Sequence, residues 1–154
     1  MISNVMLRIY ENQYNYFTIE DLKEKVDKLD IIGVFYTQIP TREDIIEYIK
    51  DEFDVPYNDN IKVDSSTENY PALREKFIKE HYHTDYEMRL FTHGTAKFFI
   101  NVDEMIYELT VGPNDLISVP ANVKHWFDAG ENPNFAAVRF FTDSNGWEAH
   151  YTKK

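Results

Sequence analysis

Apolar positions change their spacing partway along the chain. Up to about residue 80 they recur mostly at helical intervals, and beyond it they come in brief β-rich bursts. "VMLRIY" (5–10) alternates and predicts a strand. "TIEDLKEKVDKLD" follows, with Thr18 placed to cap a helix, Asp21 at the capping-box position, and Leu22, Val26 and Leu29 on one stripe. "IIGVFYTQI" (31–39) is β-branched and aromatic, which predicts a second strand. Thr41 is placed to cap "REDIIEYIKDEF", whose Ile45, Ile46, Ile49 and Phe53 form an apolar face, and Pro71 can open a third helix, "PALREKFI".

From residue 81 the texture is different. "EMRLF", "TAKFFINV", "EMIYELTV", "DLISV", "VKHWF" and "FAAVRFF" are short β-rich runs. Turn signals at Gly94, Asp103, Gly112-Pro113-Asn114, Pro120-Ala121-Asn122 and Gly130-Glu131-Asn132 separate them. Short strands at that spacing predict a sandwich or small barrel. With no linker, repeat or low-complexity stretch in between, the helical part is expected to pack on the barrel within one domain spanning 1–154.

The chemistry concentrates where the texture changes, in "EHYHTDYEMRLFTHG" (80–94). Alternation along a strand would turn His81, His83, Glu87 and Arg89 to one face, with Asp85 sharing their parity and Tyr82, Thr84 and Tyr86 opposed. His125 in the later run "VKHWF" offers a fourth donor. Imidazole nitrogen and carboxylate oxygen suit Fe, Ni, Cu or Zn, with geometry choosing among them. The same spacing also fits a polar, half-wet strand, and H-x-H alone does not decide between the two.

Composition narrows the partners. The 154 residues are enough to bury a core, and a 16% aromatic fraction supplies bulk for it. A net charge of −11 argues against nucleic acid or an anionic membrane surface, both of which need a basic face. The absence of cysteine removes disulfides and thiolate ligands and fits a reducing cytoplasm. The N-terminus lacks the pattern of a signal peptide, and no run is long enough to span a membrane. The expected setting is cytoplasmic.

Two longer motifs frame the candidate ligands. His81-x-His83-x₃-Glu87-x₆-Gly94 resembles the first cupin motif, and Pro120-x-Asn122-x₂-His125 resembles the core of the second, with Asn122 where cupins usually carry Gly. Asparagine tolerates the left-handed conformation, so the turn can survive the exchange. Within the cupins, "ALREKFIKEHYH", "NDLISVPANVKHWFDAGENPNF" and "AVRFFTDSNGWEAHYT" resemble the acireductone dioxygenase family. The likeness is close over residues 60–154 and looser before them.

That resemblance implies a mainly β fold, a jelly-roll-like cupin barrel with an N-terminal α/β elaboration. Residues 1–79 would pack on a metal-binding core at 80–142. It implies one Fe²⁺ or Ni²⁺ per chain held by His81, His83, Glu87 and His125. Arg89 and Arg139 would orient an enediolate substrate, with Phe127 and Trp147 among the pocket aromatics. It implies oxidative cleavage of acireductone with O₂ by a monomer in methionine salvage. Iron would yield formate and 2-keto-4-methylthiobutyrate, and nickel would yield formate, carbon monoxide and 3-methylthiopropionate. Arg89 and Arg139 could instead be strand arginines paired with surplus carboxylates, and Trp147 plain core packing. His93 and His150 are assigned to solvent. The family usually carries an acid immediately before the ligand Glu, where this chain has Tyr86. That departure keeps two alternatives open: a related dioxygenase for another enediol, and a non-catalytic metal- or ligand-binding cupin.

Overall fold

The computed structural model describes residues 6–85, 87–143 and 149–152, so Tyr86 and Trp147 lie outside the described residues. In chain order the elements are β1 (Leu7–Tyr10), β2 (Tyr16–Ile19), α1 (Leu22–Ile31), β3 (Phe35–Gln38), α2 (Ile45–Phe53), β4 (Tyr57–Val63) and α3 (Tyr70–Phe77). Then come β5 (His81–Tyr82), β6 (Glu87–Val102), β7 (Met105–Val111), β8 (Asp115–Val119), β9 (Lys124–Asp128), β10 (Asn134–Phe141) and β11 (His150–Tyr151). Strand dominates, as expected for the cupin barrel.

One strand organises the rest. β6 joins what the sequence splits into "EMRLF" and "TAKFFINV", and it belongs to two antiparallel sheets at once. Its first part pairs with β8 and β10, in the order β3–β8–β6–β10–β4. Its second part pairs with β7 and β9, in the order β11–β5–β9–β6–β7–β1–β2. The change of sheet falls at Gly94, whose φ is +69° and against which Asn134 of β10 packs directly. A Cβ there would lie 1.7 Å from the Asn134 carbonyl oxygen. Only glycine fits both the left-handed backbone and that approach.

Alternation along β6 sorts its side chains into two cores. Phe91, Phe98 and Ile100 enter the main core with Phe127 and Phe135, while Met88 and Leu90 join a second cluster with Ile39, Ile49, Val138 and Phe140. The second cluster is where α2 packs, through Ile45, Ile46, Ile49 and Phe53, which is the face its sequence presents. Phe91, Phe98, Phe135 and Phe140 are each fully buried, and burial of such a side chain contributes about 1.5–3 kcal/mol.

The N-terminal half departs from its sequence pattern in instructive ways. Thr18 is not a cap: it lies in β2 opposite Arg8, and α1 starts one turn later with Asp21, whose carboxylate accepts from the Glu24 N–H. The buried positions of α1 are Lys25 and Leu29, and Leu22 stays exposed. Thr41 likewise yields the N-cap of α2 to Asp44, its hydroxyl accepting from Asn114 Nδ2 instead. The strand expected over 31–39 shortens to β3, because the chain turns through Gly33 with φ +83°. β4 has little apolar alternation in "YNDNIKV" and takes its place from register with β10. Asn122 does adopt the left-handed conformation, with φ +67°.

Gly94→Ala is expected to lose about 3 kcal/mol of stability or more, since strain and a backbone clash coincide. Urea unfolding checks this. Melting together with the parent would mean that β10 can withdraw without cost.

Candidate metal centre

The site is built where the two sheets face each other. β5 contributes His81, held in register opposite His125 of β9 on one side and Tyr151 of β11 on the other. The chain leaves the strand after Tyr82, so His83 does not follow by simple alternation. Its carbonyl instead accepts from the Asn122 N–H at 2.7 Å, which ties the first motif to the left-handed turn of the second. Glu87 and Arg89 then enter from the first residues of β6, on the face opposite Met88.

These placements bring the three imidazoles together. One ligand atom from each of His81, His83 and His125 lies within 4.8 Å of the others. Donors around a single ion at about 2.1 Å can be no more than ~4.2 Å apart, and the three imidazoles are gathered on that scale. His81 Nδ1 faces the Lys79 carbonyl at 2.8 Å and His125 Nδ1 the Val123 carbonyl at 2.9 Å. Backbone carbonyls of this kind fix the tautomer and leave Nε2 as the donor toward the site.

Glu87 lies beside two of the three imidazoles. Its Oε2 lies 2.6 Å from His125 Nε2 and 3.8 Å from His83 Nε2, and its Oε1 accepts from Arg89 Nη2 at 2.6 Å. Glu87 Oε2 and His125 Nε2 are buried and, despite their closeness, misaligned for a hydrogen bond. A carboxylate oxygen held this close to a buried imidazole nitrogen puts two kinds of metal donor side by side. The donor set, three imidazole nitrogens and one carboxylate oxygen, suits a first-row divalent metal.

The electrostatics follow from burial. Removal from water pushes the His81 imidazole below its ordinary value, favouring the neutral form that can bind a metal. Burial alone would raise the Glu87 carboxyl, but Arg89, His125 and His83 outweigh it and hold the group well below the usual carboxylate range. For His125 burial acts downward, and the adjoining Glu87 more than reverses it. Arg89, buried beside Glu87 and near Arg139, is lowered mainly by loss of water. Its guanidinium lies 5.3 Å from the Phe127 ring centroid and 5.6 Å from that of Phe98.

The cluster opens into a cavity of about 220 Å³ lined by both arginines, Phe77, Phe98, Phe127 and Tyr151, among others. That is room for a small molecule. One wall is α3, pinned by the Arg74–Asp128 ion pair at 3.1 Å and by an edge-on contact of Phe77 with Phe127. Opposite stands Tyr151, its ring 5.7 Å from that of His81.

All six singled-out residues, His81, His83, Glu87, Arg89, His125 and Arg139, therefore line one pocket. Arg139 differs from Arg89 in being partly exposed and clasped by Asp59. His93 meets Asn134 and His150 stacks on Tyr82, both away from the cluster. Phe77, Tyr151 and Asp59 escaped the sequence reading. Phe77 and Tyr151 carry no local signal beyond being aromatic, and Asp59 sits in a strand with no strand pattern.

An acireductone dioxygenase of Granulibacter bethesdensis is 52% identical over 94 residues, covering 61% of this chain and 52% of that protein. This chain thus spans about half the length of that relative. An acireductone dioxygenase of Aquifex aeolicus is 39% identical over an alignment of 163 positions, covering 95% of this chain and 89% of that one. Among solved structures, acireductone dioxygenase from Bacillus anthracis, with a cadmium ion in its active centre, superposes with a TM-score of 0.80 at 29% identity, covering 96% and 98% of the two chains. The model of the ARD/ARD' family matches residues 6–149, and the chain belongs to that family.

Proposed function

We propose that the protein is an acireductone dioxygenase, cleaving 1,2-dihydroxy-3-keto-5-methylthiopentene with O₂. The observation that carries this reading is the convergence of three imidazoles and Glu87 beneath Arg89 in a small cavity. His81, His83, Glu87 and His125 would hold one Fe²⁺ or Ni²⁺. A cation held by them would supply Lewis acidity that favours ionisation of an enediol. The cadmium in the active centre of the Bacillus anthracis relative supports a divalent ion at this place.

The protein's own groups supply the rest. Arg89, braced by Glu87, and Arg139, braced by Asp59, present two guanidinium groups to a planar oxyanion. Phe77, Phe98 and Phe127 line the same cavity and displace water from it, which strengthens those charge contacts. The methylthio tail would lie against Leu73, Ala149 and Tyr151 at the outer wall. Glu80 is held by Asn101 and Thr152, and Asp85 by Thr142, and neither carboxylate lines the cavity. Among the described residues Glu87 is the acid that does. Neither Glu80 nor Asp85 is therefore placed to take a proton from a ligand in the cavity. We also assign the chain a single-domain, monomeric organisation and a cytoplasmic setting. The lack of cysteine supports that setting, and no helix among the described residues is long and apolar enough to cross a membrane. Tyr86, in place of the family's acid, favours a second reading with another enediol as substrate.

Loading with each metal, followed by product analysis from acireductone and O₂, tests the function. Formate with 2-keto-4-methylthiobutyrate is expected from the iron form, and formate, carbon monoxide and 3-methylthiopropionate from the nickel form. Turnover of a different enediol alone would favour the second reading. Stoichiometric metal with no oxygen uptake on any enediol would make the protein a non-catalytic cupin.

His83→Ala should lower bound metal and turnover together, each at least about tenfold, because outer partners cannot replace a lost ligand. Elemental analysis beside the assay decides this, and full metal with full turnover would refute the ligand assignment. Arg89→Lys should keep metal and fold while kcat/KM falls about a hundredfold, since lysine has no bidentate fork. A parallel loss of metal and thermal stability would give Arg89 a supporting role only.

A further inference from the structure

Arg139 does not stand alone in its strand row. Register across the first sheet places Ile117, Arg89, Arg139 and Asp59 side by side on β8, β6, β10 and β4. Their parity is that of Phe91, Ala137 and Val63, which belong to the main core, so this row faces the barrel interior. Two arginines directly opposite each other repel. Each has its own carboxylate: Arg89 donates to Glu87, and Arg139 donates Nε to Asp59 Oδ1 at 2.8 Å and Nη2 to Asp59 Oδ2 at 2.5 Å.

We propose that Asp59 is the positioning residue for Arg139, gripping the Nε/Nη2 edge of its guanidinium and so fixing the arginine's place and plane for a planar dioxyanion in the cavity beside Arg89. This rests on the functional reading above and adds a residue to it. Three observations carry it. The grip is bidentate, so it fixes the guanidinium plane as well as its place. Arg139 lines the cavity while Asp59 does not, which makes Asp59 a partner of the arginine and no contact of the ligand. The Arg139 and Asp59 side chains are 32% and 44% exposed, a setting in which an ion pair adds little stability, so fold support alone is a weak reason for so exact a fork. An arginine with a long, mobile side chain would otherwise bring rotamer freedom to the binding step, and fixing it beforehand removes that cost.

The test compares Asp59→Asn, Asp59→Glu, Arg139→Lys and the double variant Asp59→Asn/Arg139→Lys in the Ni²⁺-loaded full chain. Oxalate, a planar dioxyanion with vicinal oxygens, serves as a binding probe beside acireductone turnover. Asp59→Asn is expected to weaken oxalate about tenfold and to raise KM more than it lowers kcat. Metal content should hold, and the melting temperature should stay within about 3 °C of the parent. Asp59→Glu, which keeps a carboxylate, should recover part of the loss. The double variant should be no worse than Arg139→Lys within about twofold, because both changes break one contact.

In the metal-free protein, the Arg139 Nε–Hε resonance, identified by its absence in Arg139→Lys, should be protected from exchange in the parent and not in Asp59→Asn. Equal oxalate affinity in parent and Asp59→Asn, additive losses in the double variant, or an unchanged Nε–Hε resonance would each overturn the proposal. Weakened oxalate binding in Asp59→Asn, in a protein whose parent does not turn over acireductone, would sustain the role of Asp59 and overturn the substrate instead. Normal parent turnover that Asp59→Asn leaves unaltered would do the reverse.

Discussion

Burying the Glu87 carboxylate carries a heavy cost, and the groups packed around it answer the need to compensate it. Glu87 is only 2% exposed. An ionised group so placed loses its hydration and must recover that energy from near neighbours. Arg89 meets one oxygen, and His125 and His83 crowd the other. The compensation comes from both sheets: the acid and its arginine sit at the start of β6, and the imidazoles come from β5, β9 and the loop after β5. Neutralising any one of these groups would leave another uncompensated. The aromatic packing of Phe98, Phe127 and Phe135 keeps water out and makes each of those charge contacts stronger.

Where the sequence is informative, it is so because two independent patterns coincide. His81, His83 and Glu87 share a parity, and the glycine and asparagine turns bracket them and His125 at motif spacing. The clustering of these side chains was therefore legible although the strand between them breaks, since the Asn122 N–H holds the His83 carbonyl and so does for the loop what pairing does for a strand. The apolar face of α2 was equally legible, because a helical stripe is a local property. Its cap was not: Thr41 and Asp44 are both good capping residues, and Thr41 is drawn away by Asn114.

What stayed hidden depends on contacts distant in the chain. β4 is polar along most of its length and acquires its conformation from β10, many residues later. The role of Asp59 follows from that register and has no signature of its own in "YNDNIKV". Thr18 reads as a cap because its neighbourhood suits one, yet pairing with Arg8 in the β1–β2 hairpin takes precedence over the local preference. Tyr151 reaches the pocket only because β11 pairs with β5. Local chemistry thus announces the ligands, and topology decides which side chains surround them.

The pairing of β5 has a consequence for the order in which the protein is made. Its neighbours, β9 and β11, both follow it in the chain. During synthesis His81 and His83 therefore leave the ribosome before any strand that can hold them, and they stay loose until β9 delivers His125. β11 then docks last and brings Tyr151 beside His81. An ion met early finds only a pair of histidines on an unanchored segment, a weak and unselective chelate. With His81, His83 and His125 as the proposed donors, tight capture of an ion would wait for a barrel that is almost finished.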